Sequence, residues 1–324
     1  MDLEKTQHYT TNANIILQNI IDYLPMNELI VEPFVGKGDL LPYINSKSSL
    51  VECYDIDSSI GIKQDTLMNP PCYKNKWVVT NPPYMAKNKN DDKSIYDKYN
   101  EDDLYKIAIK TIINGDAKGG ILIIPINFLT DENTEHLRKQ FFEKYCIKHI
   151  NYFIYPIFDS TGYSICSFFF EKGTDYQTKF CIYDKNGLKD SFDIILKERL
   201  FQEFYDKFNI KPIVSRVTSK NIDNATHIKI YCIDNKKSII RAEYNENIFV
   251  GKDSDRTFFT MTQPNNKKLS EENQKKVVDI FNNYVNIERN NHYNLLFTNY
   301  RENNRKRIGF DLAYSILTTI IESL

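Results

Sequence analysis

The residues best suited to chemistry in this chain are Asn81, Pro82, Pro83 and Tyr84. They follow a short apolar run, Trp77-Val78-Val79, that reads as a buried strand. Proline fixes φ and donates no backbone hydrogen bond, so the chain must leave the sheet there in a stiff, extended turn. The Asn amide oxygen and the backbone carbonyl after it can accept two hydrogen bonds from one amino group. The Tyr ring can stack on a planar partner. Together they describe a site for a flat, amino-bearing molecule, and a nucleobase has that chemistry.

Three upstream clusters point to the same edge of a sheet. Leu29-Ile30-Val31 reads as a short strand, followed at once by Glu32-Pro33-Phe34-Val35-Gly36-Lys37-Gly38-Asp39. Two glycines one residue apart after a strand make a turn that a ligand can approach closely. The third glycine of the dinucleotide fingerprint is missing, which disfavours a nicotinamide cofactor. A second strand, Leu50 to Tyr54, ends at Asp55, roughly 20 residues past the glycine turn, where an acid binds ribose hydroxyls. Gly61 to Asp65 reads as a third short strand ending in an acid. In a parallel α/β sheet these strand ends share one edge, so the four clusters converge. Each alone has an ordinary explanation as a turn or a solvated strand end. Their order on one frame carries the functional reading.

The remaining elements position this edge. Thr11 is placed to cap a helix whose apolar face is Ile15, Ile16, Leu17, Ile20, Ile21 and Leu24, and Pro25 closes it. Residues 85–93 are polar without periodicity and read as a mobile loop beside the site, carrying Lys87 and Lys89. A helix is expected over 102–113, a buried strand over Ile121 to Pro125 and a helix over 132–145. Two further strands, 147–155 and 164–170, are joined by a loop that contains Phe158. After residue 173 the regular alternation is lost and Asn, Lys and Tyr become prominent. Two domains are therefore expected, 1–173 and 174–324. The first carries 18 Lys+Arg against 23 Asp+Glu, the second 24 against 20, so the basic half is C-terminal. Its end combines Arg301, Arg305, Lys306 and Arg307 with a terminal apolar helix, 310–324.

Composition bounds the alternatives. A hydrophobic fraction of 41% and an aromatic fraction of 13% argue for a folded globular chain of 324 residues. No apolar run has the length of a membrane span and the N-terminus is no signal peptide, so a soluble cytoplasmic protein is expected, without membrane partners. The six cysteines lack any Cys-x-x-Cys pair and the five histidines are dispersed, so no metal site is expected.

These motifs, in this order, resemble a gamma-class N6-adenine DNA methyltransferase of a restriction–modification system. The resemblance rests on the Thr11 helix, the Glu32 to Asp39 turn, Asp55, Asp65, Asn81 to Tyr84, the Ile124-Pro125-x-x-Phe128-Leu129 strand exit and the Phe158 loop. It implies a Rossmann-like α/β domain with a mixed, mostly parallel seven-stranded sheet, followed by a target-recognition domain. It implies S-adenosylmethionine as cofactor, with Tyr9 and Thr11 at its methionine end among Glu32, Phe34, Gly36 and Gly38. Asp55 would take the ribose, Asp65 the cofactor adenine, and Asn81 would also border the cofactor. Asn81 and the Pro82 carbonyl would hold N6 of a flipped-out adenine, with Tyr84 stacked on it and Phe158 on the other side. Duplex DNA would be the partner, contacted by Lys87, Lys89, Arg301, Arg305, Lys306 and Arg307, and a cognate endonuclease would be a separate chain. The alternatives keep the chemistry on RNA adenine or a protein glutamine, or drop it for a non-catalytic DNA-binding subunit.

Overall fold

The computed structural model describes residues 10–57, 60–158, 161–199, 208–235, 238–252, 256–262, 268–290, 299–301 and 305–324. The chain divides into two compact units between Arg199 and Leu200.

The first unit is a Rossmann-like α/β fold around one large sheet. Its strands are β1 (Ile30–Glu32), β2 (Val51–Asp55), β3 (Ile62–Lys63), β4 (Trp77–Thr80), β5 (Gly119–Pro125), β6 (Tyr145–Phe153), β7 (Ile165–Lys172), β8 (Gln177–Asp184) and β9 (Gly187–Ile195). They lie in the order β3-β2-β1-β4-β5-β7-β6-β8-β9. Strands β1 to β5 are mutually parallel, β7 runs antiparallel to both β5 and β6, and β8 is parallel to β6. From β1 the chain builds outward to β3, then returns to place β4 on the other side of β1. That reversal is a topological switch point, and in such sheets the ligand crevice lies beyond the carboxyl ends of the strands beside it. β1 delivers the glycine turn there and β4 delivers Asn81.

Burial explains why the central strands carry little alternation. β5 is buried along its whole length, and helices Leu104–Asn114 and Glu135–Phe142 occupy the crossovers on either side of it. Gly120 is required near its start: its φ is +155°, and a Cβ there would meet the Val78 carbonyl oxygen at 1.8 Å.

Four expectations need correction. The sheet has nine strands rather than seven, because β8 and β9 extend it past residue 173, and the compact unit runs to Arg199. The N-terminal helix is a single turn, Ala13–Ile16, followed by a 3-10 turn at Ile21–Tyr23. Asn19 between them has φ +61°, which breaks the helix despite its apolar spacing. Residues 85–93 are not a loose loop. Met85 N–H donates to Asp103, Lys87 N–H to the Asp102 carbonyl, and Tyr96 hydroxyl to the Met85 carbonyl.

The second unit holds a four-stranded antiparallel sheet in the order β10-β13-β11-β12, formed by β10 (Val214–Arg216), β11 (Ala225–Tyr231), β12 (Arg241–Tyr244) and β13 (Thr257–Thr262). Helix Glu271–Asn290 packs on β11 and β12, and helix Phe310–Glu322 packs on that helix and on β10. A hairpin of β14 (Asn299–Arg301) and β15 (Arg305–Arg307) completes the unit. Among the described residues no helix is long and apolar enough to cross a membrane.

Candidate active site

A cavity of about 280 Å³ opens at the switch point. Phe34, Gly36, Asp55, Asp65, Asn81 and Pro82 all line it, so the four strand-end clusters do meet. Glu32, Gly38, Tyr84 and Phe158 are not among its lining residues, and Tyr9 lies outside the described residues.

The glycine turn is held open by its own sequence. Gly36 has φ +52°, and a Cβ there would meet nothing within 4 Å, so the turn faces free space. Its N–H donates to Asp55 Oδ2 at 2.8 Å, and Asp57 N–H donates to Asp55 Oδ1 at 3.0 Å. Asp55 is thus fixed by backbone donors at the end of β2. Asp65 is fixed in the same way, since Oδ1 accepts from the N–H groups of Leu67 (3.1 Å) and Met68 (3.0 Å).

Glu32, at the end of β1, is only 1% exposed. Its Oε1 accepts from the Thr80 hydroxyl (2.6 Å) and Phe34 N–H (3.1 Å), while Oε2 is buried with no partner among the described residues. Burial pushes its carboxyl up to about 8, against the lowering effect of Thr80 and Phe34; nearby Asp55 raises it further. An orphaned carboxyl oxygen beside a glycine turn suits a ligand that brings a donor or a positive charge.

The Asn81 turn is tied to the N-terminal segment through Thr10, not Thr11. Thr10 N–H donates to Asp39 Oδ2 at 3.0 Å, and Thr10 Oγ1 accepts from Asn81 Nδ2 at 3.0 Å. Thr10 is buried and lines the cavity, whereas Thr11 is exposed and does not. Asn12, not Thr11, occupies the helix N-cap, and its Nδ2 donates to the Ile157 carbonyl at 2.8 Å.

Tyr84 is differently placed from a free stacking surface. Its ring is 2% exposed and lies edge-on to Tyr105 and Tyr163. Its hydroxyl lies within hydrogen-bonding distance of both Asn81 Oδ1 and the Ile123 carbonyl, with one proton to donate between them, and burial pushes its pKa well up. Phe158 is also buried. Of the expected basic contacts, Lys87 pairs with Asp97 (2.5 Å) and Lys89 is exposed. Arg305, Lys306 and Arg307 form β15, half-buried, with the Lys306 N–H held by Asp234 Oδ2 (3.1 Å). Arg301 is placed in β14 by its backbone. Among the described residues no cluster of three His, Cys, Asp or Glu side chains is placed to hold a metal.

Sequence reasoning missed Thr10, Gln64, Thr66, Asn90 and Asp92 as lining residues. Thr10 carried a signal, since it adjoins the expected Thr11. Asn90 and Asp92 carried none, because the fold of the 85–99 segment brings them to the cavity.

Residues 74–158 match the family model described as Eco57I restriction-modification methylase. No curated protein matches the chain. Among solved structures, a modification subunit of a putative type I restriction enzyme from Vibrio vulnificus YJ016 is similar at TM-score 0.45 and 12% identity, covering 67% of this chain and 58% of that one. A putative class I S-adenosylmethionine-dependent methyltransferase from Listeria monocytogenes is similar at TM-score 0.41 and 14% identity, covering 57% and 68%. A type I restriction–modification methyltransferase subunit from Streptococcus thermophilus gives TM-score 0.41 and 15% identity, covering 57% and 50%. The segment matched by the family model contains Asn81 to Tyr84 and Phe158, and over that segment the chain is similar to restriction–modification methylases, as its motifs led one to expect.

Proposed function

We propose that the protein transfers a methyl group from S-adenosylmethionine to N6 of adenine in duplex DNA, as the modification enzyme of a restriction–modification system. The observation that carries this reading is Asn81 at the switch-point cavity, bonded to Thr10 and sharing that cavity with Asp55 and Asp65. The family match over residues 74–158, which contain Asn81, supports it.

The residues fit the cofactor. Gly36 leaves open space, Glu32 offers an oxygen without a partner among the described residues, and Asp55 and Asp65 are held by backbone donors with acceptor capacity to spare. When bound, the cofactor supplies an electrophilic methyl on a sulfonium centre. The protein's part is positioning. The lone pair of an adenine amino group is delocalised into its ring. Asn81 Oδ1 and the Pro82 carbonyl would accept its two N–H bonds and favour a pyramidal nitrogen aimed at the methyl. A carboxamide oxygen has two lone pairs, so Asn81 can accept the amino group beside the Tyr84 hydroxyl. A base inside a duplex must flip out to reach this site, at a cost of about a few kcal/mol. Stacking on Tyr84 would offset part of that cost, and it requires Tyr163 to give way, since Tyr163 lies edge-on to the Tyr84 ring at 5.9 Å. Target recognition falls to the second unit, and cleavage to a separate endonuclease.

The test is methyl transfer from labelled cofactor to duplex DNA of varied sequence, to RNA and to protein, with the product nucleosides identified. N6-methyladenine from DNA is expected. Label in RNA, in protein glutamine or on cytosine would overturn the reading. Asn81→Ala is expected to lose transfer by about 100-fold or more while cofactor affinity changes little.

A further inference from the structure

The cofactor cavity has a wall that the recognised motifs do not account for. Asn90, Asp92 and Ile95 line it, and all belong to the segment after the catalytic turn. Helix Ser94–Tyr99 is latched to the opposite chain segment of the same cavity. Lys98 Nζ donates to the Met68 carbonyl at 2.9 Å and the Tyr99 hydroxyl to the Leu67 carbonyl at 3.0 Å.

Asn90 is 8% exposed, and its amide orientation is set by its neighbours. The Tyr96 hydroxyl spends its one proton on the Met85 carbonyl at 3.0 Å, so toward Asn90 it can only accept. Asn90 Nδ2 donates to it at 3.3 Å, and Asn90 Oδ1 accepts from Asp92 N–H at 3.3 Å. That arrangement uses one of the two amide hydrogens. The second has no acceptor among the described residues. A buried donor without a partner is unfavourable, and here it belongs to a residue that lines the ligand cavity.

We propose that Asn90 is a further cofactor-binding residue, its second amide hydrogen donating to an acceptor atom of the nucleoside part of the bound cofactor. This rests on the reading of the cavity as an S-adenosylmethionine site. The nucleoside is favoured over the methionine end because the Asn90 segment is latched to Leu67 and Met68, two and three residues after Asp65. Adenine ring nitrogens and ribose oxygens are acceptors suited to such a donor.

The test uses the full chain and S-adenosylhomocysteine as the probe, followed by calorimetry and by the ligand-induced rise in melting temperature. Asn90→Ala is expected to weaken binding about 10-fold, the effect of one lost buried hydrogen bond. Asn90→Asp keeps the shape and the oxygen facing Asp92 N–H but removes both amide hydrogens, so it is expected to weaken binding at least as much. Asn90→Asp with wild-type affinity would overturn the proposal, even if Asn90→Ala folds poorly. Absence of binding by the wild-type protein would instead overturn the cofactor reading beneath it.

Discussion

At the scale of single residues, two carboxyls give the protein a pH dependence of definite sign. Burial raises Glu32 to about 8 and Asp103 to about 7. Below the ordinary carboxylate value of 4.5, Glu32 is protonated in both folded and unfolded chains. Between there and about 8 the unfolded chain ionises and the folded one does not, so stability falls as pH rises. Asp103 acts in the same direction up to about 7. Melting temperature is therefore expected to decline from pH 5 toward pH 8, and Glu32→Gln to flatten part of that decline, an effect on the order of a few kcal/mol. A melting temperature rising over that range would contradict the burial argument. Thr10 and Thr11 offer a second residue-scale comparison. Thr10→Val removes the acceptor for Asn81 Nδ2 and is expected to lower kcat about 10-fold through a misplaced amide. Thr11→Val, on an exposed side chain, is expected to leave kcat unchanged. The reverse outcome would restore Thr11 to the site.

At the scale of elements, the strand that carries Asn81 depends on one close approach. Gly120 of β5 lies against β4, and any Cβ there would collide with the Val78 carbonyl. Gly120→Ala is expected to destabilise the first unit by about 3 kcal/mol or more, seen as a lowered urea midpoint, because strand backbone must move. A wild-type midpoint would show that β4 and β5 can separate freely. What the sequence made legible is what local chemistry encodes. The Gly36 turn, the acids at 55 and 65 and the Pro-Pro exit of β4 each name their own conformation. The rest was set by tertiary context. Apolar spacing alone made the N-terminal helix too long, because nothing in that pattern reveals Asn19 at φ +61°. Helix Glu271–Asn290 was not among the expected elements, although Gln274, Val277, Val278, Phe281 and Val285 form a helical stripe that is buried. Two of those lysines are paired on the helix itself, Lys275 with Glu271 (2.6 Å) and Lys276 with Glu272 (2.7 Å). They add less to a basic surface than their number suggests. Strands β8 and β9 were legible in hindsight from Asn186-Gly187, a turn signal between two alternating runs.

At the scale of the whole molecule, those two strands decide where the first unit ends. β8 pairs with β6 from His149 to Phe153, and its Phe180 and Tyr183 face Tyr152 and Phe153 across the strand pair. Phe192 of β9 stacks on Phe180 at 5.2 Å. A chain cut at 173 would expose this aromatic edge of β6 to solvent and to other chains, a template for aggregation. It would also strand Arg138. That guanidinium is 1% exposed, donates Nε to the Glu198 carbonyl at 2.9 Å and Nη1 to the carbonyls of Phe128 (3.0 Å) and Asp131 (2.5 Å). Removing Glu198 leaves a buried charged donor short of a partner, a loss of roughly 1–3 kcal/mol added to the missing apolar burial. A fragment of residues 1–199 is therefore expected to be soluble, to unfold in one cooperative transition and to bind S-adenosylhomocysteine, while failing to bind duplex DNA that the full chain binds. A fragment of residues 1–173 is expected to aggregate or to lack a cooperative transition. Equal solubility and cooperativity of the two fragments would show that the sheet is complete at β7 and that β8 and β9 are an appendage. Duplex binding by the 1–199 fragment at full-chain affinity would remove the second unit from target recognition.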